Sequence, residues 1–393
     1  MDMSVSEART GGDLPRYASA AAMTRAMAPR EPVYCLYPHR LAAAFARFQT
    51  GFRGTVLYAV KVNPERAVLR ALHGAGLRHF DTASLAEIAL VQSLFDDAVC
   101  HYMAPMRPLG ALEEAYTRYG VRDFALDCTD ELEALMRVAS DPPATTAFVR
   151  LATRPHGAMF ELSSKFGAGE AECAALVNRA AAHGFRTALT FHVGSQSLNP
   201  QAYGDALKRI ADTLARIDNP IAYLDVGGGF PAAYPGLSVP PLEDFLAAIT
   251  RMASALNLPA ATRLIAEPGR ILVADALSLV AQVILRKGDQ LYLNDGVYGS
   301  FMEAKLPGSL IHYPARALGP AGGGTVDYTL YGPTCDSYDM IPGHYRLPDT
   351  LAQGDYVEFG MMGAYATAMR THFNGFYPSR FVEIGPDSDP PLV

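Results

Sequence analysis

The sequence alternates between two kinds of segment from Thr55 to Arg270, and this alternation restricts the fold more than any other feature. Short runs of strand-forming residues precede longer amphipathic stretches rich in alanine and leucine. The predicted strands are Thr55–Lys61, Arg78–Ala83, Ala98–Ala104, Asp123–Asp127, Thr146–Ala152, Thr187–Gly194, Ala222–Gly227 and Arg263–Glu267. The predicted helices between them are Pro64–Ala75, Ser84–Leu94, Leu109–Tyr119, Asp130–Ser140, Glu170–Gly184, Gln201–Ile217 and Leu242–Leu256. Strands and helices alternating in this way are typical of a closed (β/α)8 barrel, and they fit an open doubly wound sheet less well.

The alternation of strands and helices ends after Arg270. Beyond it, strand-like runs are separated by glycine- and proline-rich segments instead of helices. These runs are Ile271–Arg286, Gln290–Asn294, Val326–Tyr331 and Asp355–Phe359. They predict a second, all-β domain, either a β-sandwich or a β-barrel. An early strand at Pro32–Leu36 can pair with it, so we expect a barrel over 36–270 and a discontinuous β domain from 1–35 plus 271–393.

Composition excludes several classes of protein. The 393 residues include 33 basic and 40 acidic ones, for a net charge of −7, and no basic run occurs, so a nucleic-acid partner is not expected. No apolar run is long enough to span a membrane. The 5 cysteines are scattered and form no C-x-x-C pair, which argues against disulfides and a metal site and favours the cytoplasm. Residues 1–30 lack the apolar segment of a signal peptide, and we expect a partly loose leader there.

Polar residues at the carboxyl ends of the predicted strands are candidates for chemistry, because barrel active sites lie at that end. Lys61 closes the first strand. It is either a surface lysine or a partly desolvated amine with a lowered pKa, suited to bonding covalently to a carbonyl carbon. Asp81 ends the second strand, and Ser84 and Glu87 follow with the S-x-x-E spacing of a helix capping box, which we interpret as structural.

Further candidates end the sixth, seventh and eighth strands. His192 is either a satisfied core histidine or a ring that lies flat against a planar ligand, with Ser195 donating to a phosphate. The glycines at 227–229 make either a plain turn or a backbone site for an anion. Glu267 could hold a protonated ring nitrogen, and residues 269–270 extend the anion site. With Lys61, this set is what pyridoxal phosphate needs, since the lysine bonds to it, the carboxylate keeps its ring nitrogen protonated and the glycines hold its phosphate.

The chain resembles the ornithine/diaminopimelate/arginine decarboxylase family, the alanine-racemase-like (fold type III) pyridoxal phosphate enzymes, and most of all their ornithine and lysine decarboxylases. The matching segments, in family order, are YAVKVNP (58–64), FDTASLAEI (80–88), SSKFG (163–167), FHVGSQ (191–196), DVGGGFP (225–231), AEPGR (266–270), NDGVYGSF (294–301), YGPTCDSYD (331–339) and GAYA (363–366). The resemblance implies a homodimer with shared active sites. It also implies decarboxylation of a basic diamino L-amino acid such as ornithine or lysine, or of a related amino acid from a specialised pathway, to an amine and CO2.

The resemblance also implies roles for individual residues. The expected catalytic residues are Lys61, Cys335, His192 and Glu267. The other expected contacts of the cofactor are Asp81, Arg150, Ser195, Gly228, Gly229, Gly269, Arg270 and Tyr365. The expected contacts of the substrate are Asp336, Tyr298 and Glu303. Cys335 is expected to protonate the α-carbon and Asp336 to bind the distal amine, both from the partner subunit.

One segment departs from the family pattern. Ornithine decarboxylases usually carry a second acidic residue several positions after YGSF, and here that position falls near Pro307. Glu303 lies nearer the motif, where it is either a substrate contact or half of a solvated loop pair with Lys305. The amino acid that serves as substrate therefore stays open. A pyridoxal phosphate-dependent racemase and a non-catalytic regulatory relative are alternatives, although the family's lysine, carboxylate and cysteine are all present.

Overall fold

The chain folds into a closed barrel and a second sheet, and the computed structural model describes residues 14–153, 157–160, 165–319, 323–386 and 392. The strands are β1 (Arg16–Tyr17), β2 (Val33–Leu36), β3 (Thr55–Ala59), β4 (His79–Thr82), β5 (Val99–Tyr102), β6 (Asp123–Leu126), β7 (Thr146–Leu151), β8 (Ala158–Phe160), β9 (Arg186–Phe191), β10 (Ser195–Ser197), β11 (Tyr223–Asp225), β12 (Arg263–Ala266), β13 (Leu277–Lys287), β14 (Gln290–Leu293), β15 (Ala315–Leu318), β16 (Thr325–Tyr331), β17 (Met340–Pro348), β18 (Tyr356–Phe359) and β19 (Arg380–Ile384). The α-helices are α1 (Ala20–Met27), α2 (Pro38–Gly51), α3 (Arg66–Gly74), α4 (Leu85–Gln92), α5 (Ala111–Thr117), α6 (Thr129–Val138), α7 (Glu170–Ala182), α8 (Gln201–Leu214), α9 (Leu242–Ala255), α10 (Arg270–Val273) and α11 (Met302–Lys305).

The predicted barrel is confirmed. Its strands are parallel and follow the order β3, β4, β5, β6, β7, β9, β11 and β12, after which β12 pairs with β3 and closes the cylinder. Alternate side chains of each strand point inward and fill the interior. The buried apolar residues of this interior cluster are Leu57, Met103, Ala125, Phe148, Ala188 and Ile265. This packed interior leaves the carboxyl ends of the strands as the place for a cavity.

The second sheet combines the two ends of the described chain. Its main path is β1, β19, β2, β13, β14, β16 and β17, and β18 joins it by pairing with β13 and β15. The early strand β2 therefore pairs with later strands, as predicted. The prediction of a strand over 271–286 is wrong at its start, because α10 and a 3-10 turn at Ala274–Ala276 precede β13. A short apolar run is compatible with either a helix or a strand, so the sequence pattern alone does not distinguish them there.

The expectation of a loose leader is wrong for the residues around α1. Ser19 caps α1 by accepting from the Ala22 amide at 3.1 Å, and Ala20 and Met23 are buried. Strand β1 pairs in parallel with β19. Residues 1–13 lie outside the described part of the chain. None of the helices in the described ranges is long and apolar enough to cross a membrane.

Loops of the second sheet reach the mouth of the barrel. The Tyr34 hydroxyl and Ser300 Oγ, which follows β14, are 2.6 Å apart and hydrogen-bonded. The Tyr365 amide donates to the carbonyl of Val62, just past β3, at 2.8 Å. These contacts bring the GAYA and YGSF segments next to the carboxyl ends of the barrel strands.

Candidate active site

A cavity of about 410 Å³ opens at the carboxyl ends of the barrel strands. The residues predicted for the site that line it are Lys61, Asp81, Arg150, His192, Ser195, Glu267, Glu303 and Tyr365. The structure thus brings together side chains from separate strands and from the second sheet. Apolar side chains that the sequence analysis missed form another part of the wall, namely Met103, Pro105, Phe160, Phe166, Leu306 and Met369. Phe166 belongs to the SSKFG segment, whereas no sequence signal distinguishes the other five from ordinary core residues.

Lys61 faces this cavity and forms an ion pair with Asp81. It lies on a 3-10 turn, Val60–Val62, directly after β3 rather than within the predicted strand. Its Nζ donates to Asp81 Oδ2 at 2.7 Å. Burial lowers the pKa of Lys61, but the Asp81 and Glu267 carboxyls raise it by more, so the net shift is upward. The expected lowered pKa is therefore wrong for the chain without cofactor, because two carboxyl groups lie close to the amine.

Two buried carboxyl groups lie at the base of the cavity. Burial is the main cause that raises the pKa of Glu267 well above its usual value, with Asp225 adding to the shift. Burial also raises the pKa of Asp225 to about 6. Asp225 accepts from Thr190 Oγ1 and from the Gly227 amide, both at 2.8 Å, whereas Glu267 Oε1 has no partner in the described residues. Asp225 was not predicted as a site residue, although an acid at the end of an apolar strand is a signal for it.

The His192 imidazole lies beside Glu267 and is held neutral. Burial, followed by the nearby Arg150 and Lys61 charges, lowers the pKa of His192 well below its usual value. The Gly194 amide donates to Nδ1 at 3.0 Å. A Cβ at Gly228 would lie 3.0 Å from Nε2 of His192 and 2.6 Å from the Glu267 carbonyl, so only glycine fits against this ring.

The turns at Gly229 and Gly269 require glycine for different reasons. Gly229 has a φ of +102°, and a Cβ there would lie 2.2 Å from the Gly194 carbonyl, so the turn requires glycine. Gly269 instead allows close packing, since its Cβ would lie 2.4 Å from Val62 Cγ2. Tyr365 has a positive φ of +61°, an uncommon conformation for a residue with a side chain. Ser195 and Tyr365 line the cavity next to these turns, whereas the predicted cofactor contacts Gly228, Gly229, Gly269 and Arg270 are not among its lining residues.

Arg270 and Glu303 form a buried, two-pronged ion pair at this end. Arg270 Nη1 donates to Glu303 Oε2 at 2.9 Å, and Nη2 donates to Glu303 Oε1. Both side chains are only 3% exposed. The interpretation of Glu303 and Lys305 as a solvated pair is therefore wrong, and Lys305 Nζ donates instead to the Met340 carbonyl at 3.2 Å. The short helix α11 turns Glu303 inward to Arg270, a long-range partner that loop sequence does not reveal.

Cys335, Asp336 and Tyr298 lie outside the Lys61 cavity, on the second sheet. Tyr298 donates to the Asp336 carboxylate, and this hydrogen bond raises the pKa of Tyr298 to about 12 and lowers that of Asp336. The exposed Cys335 donates through its thiol at 3.3 Å and through its amide at 3.1 Å to Asn374 Oδ1. The structure does not bring these three predicted residues to the cavity of their own chain. Residues 163–164 of the SSKFG motif lie outside the described residues.

The cavity fits pyridoxal phosphate. The buried, unpartnered Glu267 Oε1 matches a protonated ring nitrogen, the neutral His192 ring matches a planar pyridine, and Lys61 matches its aldehyde. The barrel and this residue set define a pyridoxal phosphate enzyme of the barrel type. The chain belongs to the pyridoxal-dependent decarboxylases, because the model of that family's pyridoxal-binding domain matches residues 39–274.

Three similar proteins illustrate this relationship. A lysine/ornithine decarboxylase of Selenomonas ruminantium is 34% identical over 339 residues, which are 83% of this chain and 82% of that protein. The crystal structure of a Vibrio vulnificus lysine/ornithine decarboxylase complexed with putrescine has a TM-score of 0.80 at 29% identity and covers 94% of this chain and 99% of its own. The arginine decarboxylase of Paramecium bursaria Chlorella virus, bound to agmatine, has a TM-score of 0.81 at 27% identity and covers 92% of this chain and 98% of its own.

Proposed function

We propose that the chain decarboxylates a basic diamino L-amino acid, such as lysine, ornithine or a larger relative, and releases CO2 and the corresponding amine. The observation that carries this proposal is the convergence of Lys61 and Glu267 on one cavity that fits pyridoxal phosphate. The similar proteins named above include decarboxylases of three different basic amino acids, so they support the class of substrate rather than one member of it.

Each residue at the base of the cavity has a definite task in this reaction. Pyridoxal phosphate, when bound, supplies an electron sink for the electron pair left on the α-carbon as CO2 departs. Glu267 would keep the ring nitrogen of the bound group protonated, which would keep the sink effective. Asp81 orients Lys61 Nζ, which would hold the cofactor and carry protons at that nitrogen. His192 would pack against the ring without adding charge.

The distal end of the substrate needs a carboxylate that this cavity does not offer. Among the described lining residues, Asp81 is bonded to Lys61, Glu303 is bonded to Arg270 and Glu267 lies at the base. Pro307, where the family usually has an acid, is exposed, and Leu306 lines the cavity instead. The wall on this side is therefore apolar and suits methylene groups rather than an ammonium group.

We infer that a second copy of the chain supplies Asp336 and Cys335 in a homodimer with two shared sites. Both residues face outward in a depression of the second sheet. Large apolar side chains are exposed around them, including Tyr338 at 48%, Phe373 at 39% and Met340 at 37%. Exposed apolar groups of this kind are typical of a surface that a partner covers.

Mixing two variants that each form little amine tests the shared site. Lys61→Ala and Cys335→Ala damage opposite halves, so a random mixture of subunits should regain about a quarter of the wild-type rate of amine formation in its heterodimers. Lys61→Ala mixed with Glu267→Gln is the matched control and should stay inactive, because both residues belong to the same half. If subunits exchange and activity does not return in the first mixture, the shared site is refuted.

A substrate panel tests the reaction itself. Release of CO2 is measured with L-lysine, L-ornithine, L-arginine, 2,4-diaminobutyrate and diaminopimelate. We expect the highest kcat/KM with a diamino acid. Exchange of the α-hydrogen without CO2 would instead indicate a racemase, and binding of the cofactor without either reaction would indicate a non-catalytic protein.

A further inference from the structure

The Arg270 guanidinium has an acceptor for each of its four Nη hydrogens within its own chain. Besides the two Glu303 oxygens, Nη1 donates to the Tyr234 hydroxyl at 2.9 Å and Nη2 to Ser195 Oγ at 3.2 Å. Its Nε–H is buried and has no partner in the described residues. The guanidinium is thus fixed in orientation on one edge and left open at Nε.

The charge of Arg270 is offset locally by Glu303. Both side chains are 3% exposed, so water screens their interaction little. The pair as a whole has no net charge, and Ser195, which lines the cavity on this side, is a neutral polar group. A dianion such as a phosphate group gains much less from a neutralised guanidinium than from a free one.

We propose that Glu303 is a positioning residue that holds Arg270 at the phosphate end of the cofactor site and weakens the grip of the site on that phosphate. The proposal rests on the proposed function and on the placement of the cofactor phosphate near Arg270, which the family resemblance implies. Glu303 therefore acts on the cofactor through Arg270 and is not a contact of the substrate's distal group.

Comparing pyridoxal phosphate with pyridoxal isolates the contribution of the phosphate. Affinities of both for the cofactor-free protein are measured by equilibrium dialysis in phosphate-free buffer, with wild type and Glu303→Gln. Glutamine keeps one acceptor for Arg270 but removes the charge. We expect pyridoxal phosphate to bind on the order of tenfold tighter to the variant, the effect of about one charge-assisted hydrogen bond, and pyridoxal to bind equally to both.

Two variants separate charge from geometry. Tyr234→Phe removes a neutral partner of Arg270 and Glu303→Asp keeps the charge, so neither should tighten phosphate binding. If Glu303→Gln changes the affinities for pyridoxal phosphate and pyridoxal equally, Glu303 has a merely structural role and the proposal is overturned. The proposal is also overturned if Glu303→Gln binds pyridoxal phosphate more weakly and pyridoxal as before.

Arg270→Gln tests the underlying placement separately. If the phosphate lies near Arg270, this variant loses most of the preference for pyridoxal phosphate over pyridoxal. If the preference persists, the placement of the phosphate is wrong. If Arg270→Gln loses the preference for pyridoxal phosphate while Glu303→Gln leaves that preference at its wild-type value, the phosphate lies near Arg270 but the proposed role of Glu303 is refuted. Inorganic phosphate as a competitor of pyridoxal phosphate should follow the same order of affinities across the variants.

Discussion

The carboxyl groups of Asp225 and Glu267 are both buried below the Lys61 cavity, and the charge of Asp225 adds to the burial that raises the pKa of Glu267. Two carboxyl groups in contact hold one proton between them more readily than none. Glu267 Oε1 has no hydrogen-bond partner among the described residues. A carboxyl group with a raised pKa at this place would favour the protonated form of a bound pyridine nitrogen.

This pair predicts that the stability of the cofactor-free protein depends on pH. A carboxyl group whose pKa is raised in the folded state binds its proton more tightly there, so its stabilising contribution is complete below about pH 4 and is lost as the pH rises through about 6. Glu267→Gln should remove the part of this loss that comes from Glu267, whose pKa is also raised by burial. The free energy of unfolding of the variant minus that of wild type should therefore be more positive at pH 8 than at pH 5, by on the order of 1 kcal/mol. Melting temperatures of both proteins at the two pH values measure this difference. A difference independent of pH would contradict the shared proton.

Lys61→Ala should abolish the absorbance of lysine-bound cofactor and lower turnover by a factor on the order of 10³ or more. The reason is that Lys61 Nζ is the amine held by Asp81 at the cavity. Absorbance spectra and CO2 release measure the two effects. Lys287→Ala, at an exposed lysine of β13, is the control and should change neither. A Lys61→Ala protein that keeps its absorbance and turnover would disprove the role.

Cys335→Ala should lower the yield of amine per CO2 released, because the thiol is the expected proton donor to the α-carbon. The thiol is oriented by Asn374 Oδ1, at 3.3 Å. Quantifying amine and CO2 in the same reaction measures the split. Cys128→Ala, at a half-buried cysteine on the barrel, serves as the control. An unchanged rate and yield in Cys335→Ala would refute its role as proton donor.

Asp336→Asn should lower kcat/KM for diamino acids by roughly 10²-fold or more, because the proposed ion pair between Asp336 and the distal amine would be lost. The same variant should leave the low kcat/KM of L-2-aminohexanoate, which lacks that amine, nearly unchanged. Tyr298→Phe removes only the hydroxyl that donates to Asp336, so we expect a smaller loss in the same direction. An equal loss with both substrates would show that Asp336 acts on structure rather than on recognition.

The surroundings of His79 predict that the folded protein loses stability in acid. His79 begins strand β4, at the end of the barrel opposite the Lys61 cavity. Its Nδ1 is 3.0 Å from His101 Nε2, and His101 Nδ1 is 3.0 Å from Asp123 Oδ2. Burial and the neighbouring His101 lower the pKa of His79 to about 4. The unfolded chain then binds more protons, so stability is lost as the pH falls from about 6.5 towards 4. His79→Gln should reduce this loss, as measured by denaturation in urea at pH 7 and pH 5.

The sequence predicts the barrel well because each strand and helix has a local periodic pattern, and the strand ends carry the polar residues of the site. What it misses depends on contacts between distant segments. The burial of Glu303 depends on Arg270, and the upward pKa shift of Lys61 depends on Asp81 and Glu267. The conformation around 270–276 is also set by its place at the exit of the barrel, since its apolar residues suit helix and strand equally.

Strand β2 lies in the sheet between β13 and β19, and its pairing with β19 joins Val33 to Arg380. Pairs of strands that are so far apart in sequence form late in folding, because the long chain segment between them must close first. On the ribosome the barrel strands can therefore pair while one edge of β2 stays open until β19 has emerged. Loss of the last strand should leave an unprotected edge next to the segments that complete the site, and such edges pair with other chains. We therefore expect chains that lack β19 to aggregate more readily than to mature.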